Sequence, residues 1–538
     1  MLRVESLPAD VLGLSELARR ALSGRLDLDG FPVPRRIDDI EPPAERFTPE
    51  ERAHLARWLE SQLSPLGPHV HVLESARALA TPGASCVITG HQPGLLCSPL
   101  LILYKAVQCI RLARQLAERW QRPVVPVFWN HADDHDLAEV HHAHFLNRNF
   151  DLQKVGLAGL SSGRQPLSRV KIDEDKQRLG AVRALFRHIF GDYPRIDEAL
   201  DCFMPRGNTT FAGAFTHTLL TIFGKHGMLV VEPDWMREES SSALAQLVGA
   251  NPAVALRASE RELTAAGLDV AIPVDEAALV YRVDSAGRHP LRVGGDGFRY
   301  DDEPGSRTRT ELAAEIVQDP GGWSAGALLR PLVQDLVLPV AAQVGGHGEL
   351  GYHAQLGRLR RATNTPCTPF VPRVSMTLIE VEMRASAERI GVTPLEILRA
   401  HGNWMPPSEE REAPPVIDEL KRLAAEHADV ILAKRAELAE IEPGLAPHLR
   451  RAVAQYRAAL DKLAEKASRV EANRVGKGGR HLRRLNNALC PRGQAQERVL
   501  APLQFVARFG LDWLDDLIAE LDPFCSEHLL VDLEEDLA

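Results

Sequence analysis

The chain holds only seven cysteines in 538 residues, and none of them forms a C-x-x-C pair. A zinc ribbon is therefore not expected, and the thiols read as small buried side chains. No apolar run reaches the roughly 18 residues that a membrane span needs, so none is predicted. The opening stretch, MLRVESLPADVLGLSELARR, carries acidic residues and lacks the continuous apolar segment of a signal peptide. A cytoplasmic location is the expectation. Positive charge is also in deficit. The net charge is -10, which gives no support to general nucleic-acid affinity. Internal repeats and low-complexity tracts are absent.

What remains is an ordinary globular composition, 45% hydrophobic and 25% charged. The length suits roughly two to four domains. Residues 1–80 read as mostly helical, with a proline-rich break over 31–43. A short apolar strand at 85–89 (SCVIT) is followed by helical spacing from about 98 to 119 and a second strand at 123–129 (PVVPVFW). Strand, helix, strand makes a parallel, right-handed βαβ unit. Its loops, GHQPG and NHADDHD, then lie at the carboxyl ends of parallel strands, where open α/β sheets bind ligands. Further strands are expected at 227–231 (GMLVV), 337–344 (VLPVAAQV) and 370–371, so the core reads as a doubly wound sheet. Short β-like runs between turn signals mark an inserted domain. From about 409 to 485, Ala, Glu, Leu, Lys and Arg dominate with helical spacing. Glu442-Pro443-Gly444 breaks the run, which predicts two long antiparallel helices. The expected division is 1–250 (helical segment and first part of the core), 251–320 (insertion) and 321–408 (second part of the core). A coiled coil over 409–488 and a C-terminal helical segment over 489–538 complete it.

Four clusters carry chemistry. Gly90, His91, Gln92 and Gly94 in GHQPG stand at a strand-to-helix turn, where backbone N–H groups favour an anion; a plain tight turn is the bland alternative. Asp133, Asp134, His135 and Asp136 form the second, trailed by His141, His142 and His144. Asp and His together suit Zn²⁺, Mn²⁺ or Fe²⁺. They equally suit a metal-free base that binds a polar substrate, or a helix N-cap. No metal is assigned. The third is LLRPLVQDLVLPVAAQVGGHGELGYHAQL: Arg330 is placed to clamp a carboxylate and Gln334 lies one turn on, while Gly345, Gly346 and Glu349 line a glycine-rich turn into a helix. The fourth, the basic stretch 468–485, could receive phosphate or lie as a solvated helix end.

The order of VITGHQPGLL, PVVPVFWNHADDHDLAEVHH, GMLVVEPD, LLRPLVQDLVLPVAAQVGGHGELGYHAQL, PFVPRVS and LCPRGQAQER resembles one family across nearly the whole chain. That family is the bacillithiol-biosynthesis cysteine-adding enzymes, the BshC family. The resemblance implies a Rossmann-like core similar to class I aminoacyl-tRNA synthetases, inserted connecting domains and a C-terminal antiparallel coiled coil supporting a homodimer. It implies a ligase that adds cysteine to the amine of glucosaminyl malate, the last step toward a low-molecular-weight thiol. Activating the cysteine carboxylate calls for a nucleotide (ATP/ADP). Asp134, His135 and Asp136 become the catalytic candidates. Gly90, His91, Gln92, Gly94, Asp133, Arg330, Gln334, Gly345, Gly346 and Glu349 become substrate or nucleotide contacts. The family usually reads T-G-Q-Q-x-G, G-E-D-H-D, G-G-P-G-E and S-P-N where this chain has TGHQPG, ADDHD, GGHGE and SAG. Two of these changes introduce histidine, at His91 and His347. The competing classes are a metal-dependent hydrolase built on 133–144 and a non-catalytic coiled-coil protein that binds nucleic acid through 468–485.

Overall fold

The computed structural model describes residues 3–157, 163–172, 176–205, 209–295, 297–301, 305–404, 415–441, 445–474 and 477–534. They form two compact units, one of residues 1–381 with 494–538, the other of 382–493.

The first unit is built on a five-stranded parallel sheet. Its order is Phe370–Pro372, Val340–Gly345, Ser85–His91, Val124–Asn130, Leu229–Val231. The two strands SCVITGH and VVPVFWN are buried almost throughout. Near-continuous apolar runs of this kind mark strands covered on both faces. The helix Leu101–Trp120 makes the crossover between them and buries a broad face that includes Tyr104, Lys105 and Gln108. Sequential strands run from Ser85–His91 toward one edge, and Val340–Gly345 is laid on its other side. The loops leaving these two neighbours diverge, which opens a crevice at the switch point. The strand expected over 337–344 divides differently. Arg330–Val337 is a helix, and the strand starts at Val340. Pro339 bars Leu338 from helical geometry, so the helix ends there.

An antiparallel five-stranded sheet is inserted into this unit, comprising Ser306–Thr308, Gly297–Tyr300, Arg288–Gly294, Ala278–Val283 and Trp323–Ala325. The segment expected to hold short β runs also contains a helix at its start, Pro252–Ala265, whose first residue is a proline. Proline loses nothing at that position, because its missing N–H would have no partner there.

A third sheet sets Val4–Leu7 antiparallel and Ser375–Glu380 parallel to a central strand, His528–Leu533. The expectation that 489–538 is helical fails at this strand. HLLVDL is buried at every position, and strands flank it on both edges. The other edge of Ser375–Glu380 is satisfied by a side chain. Gln496 accepts from the Leu378 N–H at 2.9 Å and donates to the Leu378 carbonyl at 2.7 Å, as a neighbouring strand would. Beside it, Glu497 pairs bidentately with Arg373, with both side chains almost wholly buried. Glu497 also accepts from Ser375 Oγ at 3.0 Å and Met376 N at 2.9 Å. The imidazole of His528 lies between Ser375 Oγ (3.0 Å) and Thr377 Oγ1 (2.9 Å). The PRVS and QAQER motifs are thus two halves of one buried polar network.

In the second unit, Pro415–Leu432 packs along Leu445–Arg474, with His427 3.1 Å from the Tyr456 hydroxyl. The first helix of the pair is not continuous as expected: a turn at Ala433 and Lys434 separates it from Arg435–Ile441. The predicted break at Glu442-Pro443-Gly444 lies outside the described residues. Among the described residues no helix is long and apolar enough to cross a membrane. Five cysteines are buried as expected, but Cys367 is exposed and Cys525 is half-buried.

Candidate active site

The crevice at the switch point is closed at its base by a lysine. Lys105 projects from the first turns of Leu101–Trp120 and is 1% exposed. Its Nζ donates to the Gly90 carbonyl at 2.7 Å and forms an ion pair with Glu349. Glu349 also accepts from the Gly346 N–H at 3.0 Å. One ammonium therefore joins the loops of both diverging strands. Burial pulls Lys105 below the ordinary lysine range, against the opposing charge of Glu349. Burial works the other way on Glu349, yet the Lys105 ammonium and the Gly346 N–H hold its carboxyl below the usual range. Breaking such a buried pair would strand a charge without a partner. Sequence reading missed Lys105, although a lysine inside the apolar stripe SPLLILYKAVQC was a signal, since lysine is rarely buried unpaired.

Above this base sit neutral imidazoles and one guanidinium. Arg330 Nη1 is 2.9 Å from His131 Nε2 and 3.3 Å from Gln334 Oε1, and Nη2 is 3.0 Å from the Tyr352 hydroxyl. Burial, reinforced by Arg330, drives His131 well below the ordinary histidine value, so Nε2 is a neutral acceptor. Burial also lowers His91 to about 4, with Lys105 contributing. Gly90 allows this packing: a Cβ there would lie 2.4 Å from His131 Nε2 and 2.6 Å from the Trp129 carbonyl. His131 and Tyr352 were not singled out from the sequence, because lone histidines and tyrosines carry no spacing signal.

The second acidic cluster divides. Asp134 Oδ2 accepts from the Gln92 amide, and Oδ1 accepts from the backbone N–H groups of His135 (2.7 Å) and Asp136 (3.1 Å). Burial opposes ionisation of Asp134. The Gln92 amide, the two N–H groups and the charge of Arg288 outweigh it and keep the carboxyl below its usual range. His135 is 39% exposed at its side chain, with Nδ1 3.8 Å from Asp134 Oδ1. Burial, then the charge of Arg288, lower its pKa despite Asp134 and Asp136. At neutral pH it is an uncharged base. It lines a cavity of about 550 Å³ together with Tyr281 and Arg288 of the inserted sheet.

The remaining predicted residues lie apart from this assembly. Asp133 is taken up by an ion pair with buried Arg237, which also holds Asp234. Asp136 is exposed and caps the short helix Leu137–Val140 through Ala138 N at 3.1 Å. Gln334 is buried behind Arg330, and its neighbour Asp335 pairs with Arg360. A Cβ on Gly345 would strike the Phe370 ring, and one on Gly94 would meet the Ser98 carbonyl at 1.8 Å, so both glycines serve packing. GHQPG does not open the helix as expected. A 3₁₀ turn at Leu95–Cys97 intervenes, with Leu96 in left-handed conformation, and the helix starts only at Leu101. The carbonyl of Leu500 accepts the Leu100 N–H at 2.9 Å beside that helix start.

Among the described residues no three of His, Cys, Asp and Glu are grouped to hold a metal ion. His142 and His144 are strand residues on His142–Leu146, with ring centres 5.2 Å apart. In the part of the basic stretch whose side chains are described, Arg480 is exposed while Arg483 and Arg484 are half-buried. The side chains of 468–478 lie outside the described residues.

Residues 35–374 match the domain described as "Bacillithiol biosynthesis BshC, N-terminal Rossmann-like domain". Residues 376–533 match "Bacillithiol biosynthesis BshC, C-terminal coiled-coil domain". Relatives named "Putative cysteine ligase BshC" are similar over most of the chain. One from Koribacter versatilis is 29% identical, covering 90% of this chain and 91% of its own. One from Solibacter usitatus is 28% identical over 90% of each. One from Anoxybacillus flavithermus is 27% identical over 80% of this chain and 82% of its own.

Proposed function

The chain belongs to the bacillithiol biosynthesis BshC family, and on that premise we propose that it is a ligase that joins cysteine, through its carboxyl group, to the amine of glucosaminyl malate. The observation that carries this reading is the match of both domains, in order, over nearly the whole chain. The site chemistry supports it. Forming an amide requires an amine that has lost its proton, because a protonated amine has no free electron pair. Neutral His135, backed by ionised Asp134, is suited to take that proton. The carboxylate of cysteine needs activation, and a nucleotide (ATP/ADP) would supply it. A crevice at a switch point, with Arg330 above and a helix starting at His347, would suit a phosphate-bearing ligand. Arg330 would orient the anion, and buried Lys105 would hold the two loops in register.

Thiol profiling by mass spectrometry of a host strain with and without this gene tests the reading. Loss of bacillithiol with accumulation of glucosaminyl malate is expected. Unchanged thiols would remove the assignment.

The partner in this reading is a second copy of the chain, met through the coiled coil. Val416, Val430, Ile441 and Leu463 on its helices are exposed apolar side chains, which favours a covered face. Sedimentation equilibrium of the full chain should give twice the monomer mass, and Val430→Glu with Ile441→Glu should return it toward the monomer. A monomer at all concentrations would refute the dimer.

A further inference from the structure

The inserted sheet brings a guanidinium, Arg288, into the 550 Å³ cavity, and among the described residues no carboxylate forms an ion pair with it. Arg288 is 7% exposed. Its Nε donates to Ser324 Oγ at 3.1 Å and its Nη2 to the Ala325 carbonyl at 3.2 Å. Its guanidinium carbon lies 3.6 Å from the centre of the Tyr281 ring. All of these partners are neutral. The Asp134 carboxylate acts on it only through space, with no ion pair formed, so the buried guanidinium keeps hydrogen-bonding capacity for the opposite charge of a ligand. Elsewhere on the wall the charges cancel in part: Arg292 pairs with Asp301. Glu276 adds negative charge to the lining and Arg164 adds positive charge. The cavity is of the size that takes a small-molecule ligand.

We propose that the Arg288–Tyr281 pair is the recognition site for a carboxylate on a small-molecule ligand of this cavity, an assignment to the amine acceptor that rests on the ligase reading above. The ring holds the guanidinium in place, and the donors left over, on Nη1 and the second N–H of Nη2, fit a carboxylate in a two-point bond. The modest net positive charge suits one or two carboxylates better than the denser charge of a phosphate chain. His135 stands on the same cavity wall, so a ligand anchored at Arg288 would bring the rest of its length toward the candidate base.

The test is direct binding of malate to the full chain by calorimetry, with inorganic phosphate as competitor and without turnover. The ligase reading can thus fail in thiol profiling without deciding this result. Saturable malate binding is expected, weakened at least tenfold by Arg288→Gln, with phosphate a poor competitor. Because Arg288 is buried and its loss could unsettle the inserted sheet, Ala327→Glu provides a second arm. Ala327 is exposed on the cavity wall, so the added carboxylate should repel malate by a similar factor with no change in thermal unfolding. Failure of malate to bind the unaltered chain overturns the proposal. So does undiminished binding in Ala327→Glu, and so does displacement by equimolar phosphate.

Discussion

Replacing His135 by alanine is expected to lower kcat for amide formation by about 10²–10⁴-fold, the usual contribution of a positioned general base. Thermal unfolding should barely move. The side chain is 39% exposed, so its truncation leaves no core cavity. The pH profile separates a base from a structural residue. Burial and Arg288 hold the folded-state pKa of His135 below the ordinary 6.5, so the active, neutral form persists at neutral pH. The acid limb of kcat/KM should therefore fall below pH 6.5, and it should be missing from the residual activity of the alanine variant. Steady-state rates over pH 5–8, beside melting curves of both proteins, read this out. Full activity in the variant would eliminate His135 as the base. Loss of activity together with loss of cooperative unfolding would reduce it to a packing residue.

The largest stability effect is expected at Arg373. Arg373→Met leaves Glu497 ionised and buried with its main partner gone, which typically costs about 3–5 kcal/mol. Glu497→Leu should cost a similar amount, by stranding the guanidinium. The double variant should be less damaged than the sum of the two, because neither charge remains. Denaturant unfolding at pH 7 measures all three. The pH dependence has a defined sign. Burial raises the carboxyl of Glu497, but Arg373 and its hydrogen bonds bring it down to about 2 from the ordinary 4.5. A depressed carboxylate contributes its stability fully above the unfolded value and loses it as pH falls through the folded one. Unfolding free energy should thus decline between about pH 4.5 and 2, by on the order of 3 kcal/mol for this group. The Glu497→Leu variant should lack that part of the decline. Additive single and double effects would mean that the two charges do not act as a pair.

The parallel core was legible because its strands and helices carry strong local patterns. SCVITGH and VVPVFWN are unbroken apolar runs, and the helix between them has a continuous buried face. What was hidden is held by partners distant in sequence. Lys105 and Glu349, and Arg373 and Glu497, meet only after folding. The strand at His528–Leu533 looked helical because its neighbours Asp512–Glu520 are, and nothing local names its two flanking strands. The Asp/His cluster read as one unit from the sequence. It separates in space because Arg237 claims Asp133, while Gln92 and the main chain claim Asp134. Density of ionisable residues along a chain does not give their grouping.

The three-stranded sheet also sets a timetable for synthesis. Ser375 and His528 are neighbours in it, but 153 positions separate them along the chain. A ribosome adding about 5–20 residues per second needs roughly 8–30 s to cover that distance. The helical unit of residues 382–493 emerges within this interval. The strand Ser375–Glu380 waits with an open edge, and Arg373 waits without Glu497. The first unit therefore cannot complete its fold vectorially. Nascent chains stalled before residue 494 should be the ones that engage chaperones, and a gene fragment ending at residue 381 should yield insoluble protein.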